Sequence, residues 1–297
     1  MKLKLSNAPC SWGIEFADSP ANPLWSTVLD EIQAAGYSAT ELGPLGYLPT
    51  DTSLLKDELS KRNLEIIAGT LFKHLHDRSK RADILDFTKQ SCKTLQALGA
   101  QYMVVIDHVA SPRTDQAGQK ETATRLSNDD WSAMMETIRQ ASRICLDHGI
   151  TPTLHAHTGT FIEYQDELDR AMTDLDEDLV SLCLDTGHCY YAGISPEQAI
   201  KQYQDRIKYI HFKDINPVIH QQTVNESIDF YKAISNGIFC PLGQGGVNFD
   251  AVRQELIAMN YQGWVTVEQD MDPTIDNNPL QNAINSREFI EKHLLQG

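Results

Sequence analysis

Eight short apolar runs, rich in β-branched residues, alternate along this chain with longer stretches whose apolar residues recur every three to four positions. The runs fall at 3–8, 39–42, 65–68, 102–106, 151–155, 180–185, 207–212 and 264–268, and each predicts a strand. The stretches between them predict helices. Leu29, Ile32 and Gly36 mark one, and Leu54, Leu55 and Leu59 another. Met134, Ile138 and Ile144 precede a stop at His148-Gly149, and Phe249, Val252, Leu256 and Ile257 precede Gly263. Gly closes these stretches and Asp or Ser opens them. Strict alternation implies a parallel sheet with helical crossovers. Eight repeats favour closure into a single-domain (β/α)8 TIM barrel of the α/β class over residues 1–297, with its active site at the C-terminal ends of the strands. No G-x-G-x-x-G follows the first run, which argues against an open dinucleotide-binding sheet.

Two connections are longer than a barrel needs. Residues 111–129 are polar and read equally as a solvated insertion or a functional loop. Residues 216–246 carry Phe230, Tyr231 and Phe239 and end in Pro-Leu-Gly-Gln-Gly-Gly. Both follow strands, so both belong to the catalytic face. The aromatics of the second predict substrate contacts, because a solvated loop has little use for them.

Composition narrows the partners. The chain has 25 basic and 41 acidic residues, a net charge of −16. That charge repels a polyanion and disfavours nucleic acid. No run reaches the roughly 20 apolar residues of a membrane span. Met1-Lys-Leu-Lys-Leu reads as a first strand and not as a signal peptide, so a cytoplasmic location is expected. Cys10, Cys92, Cys145, Cys183, Cys189 and Cys240 contain no C-x-x-C pair and read as reduced, part-buried small hydrophobes. A homo-oligomer is compatible with the chain.

The chemistry concentrates in the second half. Leu-Asp-Thr-Gly-His at 184–188, His-Phe-Lys-Asp at 211–214 and Val-Glu-Gln-Asp at 267–270 each close a strand-like run. Asp185 is either a helix N-cap or a ligand. His211, followed at once by Lys213 and Asp214, points to a site more than to a core histidine. A buried strand rarely ends in a Glu such as Glu268 without a partner charge or a metal. His155 and His157 on the fifth run are two apart and share a facing. Either one, or Glu163 further on, supplies the fourth donor. Mixed His and carboxylate ligation suits Mn²⁺, Co²⁺ or Zn²⁺, with Fe²⁺ also admitted, better than Ca²⁺ or Mg²⁺.

These motifs resemble the xylose isomerase-like (sugar phosphate isomerase/epimerase) TIM-barrel superfamily, and within it the inosose dehydratase-like proteins. Pro9-Cys-Ser-Trp-Gly, Thr40-Glu-Leu-Gly-Pro, Gly46-Tyr-Leu-Pro, His155-Ala-His-Thr-Gly-Thr and the three segments above carry the resemblance over nearly the whole chain. It implies a divalent metal held at the ends of strands five to eight, on His155, Asp185, His211 and Glu268. The strand-five position is usually Glu in that superfamily. Here it is His155, which leaves His157 and Glu163 as alternatives. The implied activity is dehydration of a keto-inositol, or a similar cyclic polyhydroxy ketone, by α-proton abstraction and loss of water. The alternative is a metal-dependent sugar or polyol isomerase or epimerase. Lys213, His157 and Glu41 are the candidate bases, and His188 is the candidate acid for the leaving hydroxyl. Lys213 serves equally as a counter-charge for a carboxylate-rich mouth. Trp12, Asp107 and His108 are expected to line the mouth, with Trp12 as an apolar wall for a ring face or as ordinary core.

Overall fold

The apolar runs pair with one another because parallel strands buried on both faces have nowhere else to satisfy their backbone groups. The computed structural model describes residues 1–275 and 278–295. Barrel strands β1 (Lys2–Asn7), β2 (Ala39–Glu41), β3 (Glu65–Lys73), β4 (Tyr102–Asp107), β5 (Thr151–Leu154), β6 (Ser181–Asp185), β7 (Ile207–Phe212) and β8 (Gln262–Val267) close into one parallel barrel, in which β1 also pairs with β8. The expected strand at 65–68 runs on to Lys73, because its register with β4 continues to Lys73 opposite Asp107. The unit expected over 1–297 includes 276–277 and 296–297, which lie outside the described residues.

The helices form where an apolar stripe meets a cap. In Asn128–Asp147, Trp131, Met134, Met135, Ile138, Ala141 and Cys145 are buried on one face, and Ser127 caps the start by accepting from Asp130 N. Asp51 caps Thr52–Lys61 in the same way. Gly99 ends Arg81–Leu98 in a left-handed conformation, φ 75°, that a side chain would strain. Leu54 and Ile257, counted with the apolar stripes above, are exposed instead. Among the described residues no helix is long and apolar enough to cross a membrane.

Two apolar layers result. One lies between strands and helices. The other fills the barrel bore with Ile67, Val104, Ile106, Cys183, Tyr209 and Trp264, where Tyr102 and Tyr209 stack at 4.8 Å. A polar thread crosses the bore: Ser6 and Thr266 hydroxyls meet at 2.5 Å, Thr266 meets the Tyr209 hydroxyl, and Tyr209 donates to Glu41 at 2.7 Å. Trp12 belongs to the outer layer, 3 % exposed, with its indole N–H donated to Glu31. It is core and not a substrate wall, because the turn at Pro9–Trp12 directs it away from the mouth and into the helices.

The two long connections fold differently. Residues 216–246 form helices Pro217–Glu226 and Phe230–Ser235 and a strand Phe239–Cys240 that pairs with Asp214–Ile215. The Asp214 carboxylate holds the glycine loop that follows by accepting from Gly243, Gly245 and Val247 N–H groups. Gly245 is required there: a Cβ would stand 2.3 Å from Asp214 Oδ1. Residues 111–129 fold back onto the end of β5. Their anchor is Arg113, fully buried, which donates to both oxygens of Glu167 at 2.7 and 3.1 Å and to Glu163 at 3.3 Å. Removing one member of a buried ion network leaves its partners desolvated and uncompensated. Arg113→Met is therefore expected to lower unfolding free energy by about 3 kcal/mol or more. Urea unfolding measures this, and a change under 1 kcal/mol would contradict it.

Candidate metal centre and active site

The barrel ladder brings four donors to one level. Asp185 is the last residue of β6 and stands opposite His211 of β7. His155 continues the ladder one residue beyond β5, bonding Val105 O, and Glu268 does the same beyond β8, bonding Phe212 O. One ligand atom from each of His155, Asp185, His211 and Glu268 lies within 4.8 Å of the others, and all four residues are buried.

Their second atoms are already committed, which orients the first. His155 Nδ1 donates to Ala156 O at 2.6 Å, so Nε2 is bare and faces Asp185 Oδ2 at 3.6 Å. His211 Nε2 donates to Glu41 at 2.9 Å, so Nδ1 is bare; it lies 3.2 Å from Glu268 Oε2 and 3.8 Å from Asp185 Oδ2. A carboxylate behind a ligating imidazole fixes the tautomer in this way in metal sites generally. Asp185 Oδ1 accepts from His188 N at 2.8 Å and caps Thr186–Tyr191, while Oδ2 has no hydrogen-bond partner. The cap and the ligand are thus two oxygens of one residue. His211 Nδ1 is likewise buried without a partner. Two orphaned buried acceptors aimed at one point, within a set of two imidazoles and two carboxylates, fit a divalent transition-metal ion.

Lys213 completes the floor. Its Nζ lies 2.9 Å from Asp270, 3.0 Å from Glu268, 3.6 Å from Asp185 and 3.1 Å from His188 Nε2. Burial opposes its charge, but Asp270, Glu268 and Asp185 outweigh burial and hold it well above the usual lysine range. These carboxylates surround it as a counter-charge is surrounded. Burial opposes ionisation of Asp185 too, yet Lys213 and His155 bring its carboxyl down to about 2. Gly187 is needed for the lysine stem to pass, since a Cβ there would stand 2.7 Å from Lys213 Cγ.

His155, His211, Glu268 and Lys213 open onto a pocket of about 830 Å³, walled also by Phe72, His108, His157, Phe230 and Tyr231. His157 Nδ1 donates to Thr158 O at 2.8 Å, which leaves Nε2 bare. Burial, with His155 and Lys213 nearby, keeps this imidazole uncharged. His108 stacks on Phe72 at 4.2 Å and donates Nδ1–H to Val109 O. The aromatics of 216–246 do reach the pocket, through Phe230 and Tyr231, while Phe239 lies under Lys213 at 5.1 Å.

Several expected roles are corrected. Glu163 is not a ligand: its oxygens accept from Gly118 N, Gly159 N and Arg113, so it braces the loop behind His157. His188 does not reach the pocket. It is 2 % exposed, with its ring centroid 3.8 Å from that of His157, Nε2 facing Lys213 and Nδ1 facing Thr158 Oγ1 at 2.9 Å. Burial first, then His157 and Lys213, keep it uncharged, so it is ill suited as an acid. Glu41 lines the pocket and its Oε1 accepts from Tyr209 and His211, which makes it the orienting group for His211. Asp107 is 1 % exposed and accepts from His76 Nδ1 at 2.8 Å, away from the pocket. Sequence reasoning assigned no role to Asp270, Glu15 or Phe72. Asp270 had a signal, since it lies two residues past Glu268; the other two sit on loop and strand positions that nothing local distinguishes.

Comparison with known proteins gives the same frame. A family model described as "Xylose isomerase-like TIM barrel" matches residues 29–293. A relative from Geobacillus kaustophilus (strain HTA426), called inosose dehydratase, is 32% identical over 301 residues, covering 99% of this chain and 96% of that one. Among solved structures, the IOLI protein with a bound zinc atom superposes with TM-score 0.74 at 16% identity, covering 98% of each chain. L-ribulose 3-epimerase superposes with TM-score 0.71 at 17% identity, covering 99% of this chain and 95% of the other.

Proposed function

The chain belongs to the xylose isomerase-like TIM barrel family, and we propose that it acts there as a metal-dependent dehydratase, a carbon–oxygen lyase, on a keto-inositol or close cyclic polyhydroxy ketone. The observation that carries this is the paired set of orphaned buried acceptors, Asp185 Oδ2 and His211 Nδ1, where His211 lines a pocket also walled by an uncharged, bare imidazole. The near-full-length relative called inosose dehydratase supports the reaction class. His155, Asp185, His211 and Glu268 would hold the ion, with Zn²⁺, Mn²⁺ and Co²⁺ the best suited to the donors and Fe²⁺ admitted. When bound, such an ion polarises the substrate carbonyl and stabilises the negative charge that develops on its oxygen.

The protein groups supply the rest. His157 Nε2 is the base for the α-proton, because its other nitrogen is spent on Thr158 O and its lone pair faces the pocket. Lys213, anchored by Asp270 whatever else Asp185 and Glu268 bind, adds positive charge beside the oxygen that becomes anionic. His188 and Thr158 hold Lys213 and His157 in register from behind. Phe72, His108 and Phe230 give the ring apolar faces, and the bare Nε2 of His108 offers an acceptor for a ring hydroxyl.

The test is to incubate metal-loaded protein with 2-keto-myo-inositol and follow near-ultraviolet absorbance with proton NMR. A dehydrated enolic diketone absorbs there and is the expected product. An epimerised or isomerised product carrying solvent deuterium, with no loss of water, moves the function to the sugar isomerase or epimerase class.

A further inference from the structure

Dehydration needs an acid as well as a base, and the two histidines near the floor are both uncharged. Apart from Glu15, the acidic side chains of the pocket are committed or, in the case of Asp18, exposed at its rim. Glu41 serves His211, Glu268 belongs to the donor set, Asp270 pairs with Lys213, and Asp272 accepts from Ser235 at 2.7 Å and Thr274 at 2.6 Å. Glu15 is different. It lines the pocket on the loop after β1, and among the described residues its side chain takes a hydrogen bond only from a neutral donor, the Tyr231 hydroxyl at 2.7 Å.

Its place in the barrel is the second observation. Glu15 and His157 line the same pocket, and both are positioned by the helix Phe230–Ser235: Tyr231 holds the Glu15 carboxyl at 2.7 Å and Phe230 meets the His157 ring at 5.6 Å. A ring bound in that pocket lies within the same chamber as the imidazole and the carboxyl.

We propose that Glu15 is the catalytic acid that protonates the departing hydroxyl, a role that rests on the dehydratase reading above. The α C–H proton passes to His157 Nε2, and its electron pair moves into an enolate with the charge on the carbonyl oxygen. The enolate then reforms C=O and the Cα=Cβ bond as the β C–O bond breaks, the departing oxygen takes the proton of Glu15, and water leaves. Glu15 is then a carboxylate, and the proton on His157 returns to it through solvent, so the cycle closes without another reactant. Burial favours the protonated carboxyl and outweighs the Tyr231 hydrogen bond, with Asp270 adding to it, so that Glu15 is pushed up to about 7. Tyr231 and Asp270 are the titratable groups that face it.

Glu15→Gln keeps the acceptor for Tyr231 and removes the proton. The experiment runs metal-loaded wild type and E15Q on 2-keto-myo-inositol in D₂O, reading water loss by absorbance and α-deuterium in recovered substrate by NMR. The expected result is that E15Q loses elimination by about 10²–10⁴-fold, the span of general acid catalysis, while α-exchange stays within a few-fold of wild type. The wild-type rate should fall as pH rises through about 7, where Glu15 deprotonates, and that limb should vanish from the residual rate of E15Q. E15Q that eliminates at near wild-type rate, or that loses exchange and elimination together, overturns the acid. A wild type that exchanges deuterium but never loses water overturns the dehydratase reading, and the acid with it.

Discussion

Asp185→Asn is expected to strip the protein of its divalent ion and to lower turnover of 2-keto-myo-inositol by about 10³-fold or more, since charge stabilisation of the developing oxyanion is worth several kcal/mol. The choice of Asn separates the two jobs of this residue. Oδ1 accepts from His188 N and starts the helix Thr186–Tyr191, and Asn is as good an N-cap as Asp. Oδ2 is the orphaned acceptor, and there the substitution replaces a charged oxygen. The fold should therefore survive, with far-ultraviolet dichroism and melting temperature close to those of the parent. Elemental analysis after dialysis reads the ion. Full metal content in a folded D185N would remove Asp185 from the ligand set.

His157→Asn has a comparable effect by another route. The metal donors are untouched, so metal content should be unchanged. Loss of the base should lower both α-exchange and elimination by about 10²–10⁴-fold, and by the same factor. That pattern differs from the one expected for E15Q, in which exchange persists. The contrast follows from role: His157 takes the α-proton, whereas Glu15 acts only on the departing hydroxyl. Unimpaired exchange in H157N would return the base to Lys213, whose pairing with Asp270 argues against it here.

Much of this architecture was legible beforehand. The eight apolar runs are the eight barrel strands, because runs alternating with helices pair as a parallel sheet covered on its outer face, and eight of them suffice to close it. His155, Asp185, His211 and Glu268 could be named as candidates because a titratable residue at the end of such a run must find a partner. Asp270 was within reach for the same reason, two residues beyond Glu268. Trp12, Asp107, His188 and Glu163 lie near the strand ends in sequence, yet each takes a partner from elsewhere in the chain: Glu31, His76, Lys213 and Arg113.

The amino-acid sequence by itself determined which elements form, their order, and the level at which the strand ends collect ionisable groups. These follow from short-range periodicity and from one ladder rule applied eight times. Tertiary structure alone decided which atom of each group faces the site. Glu41 reaches His211 across 170 positions, and Tyr231 reaches Glu15 across 216. Such contacts depend on barrel closure and on how two inserted helices settle over the mouth. No local pattern encodes them, because a side chain's proton and lone pair are oriented by whatever the fold brings within hydrogen-bond distance.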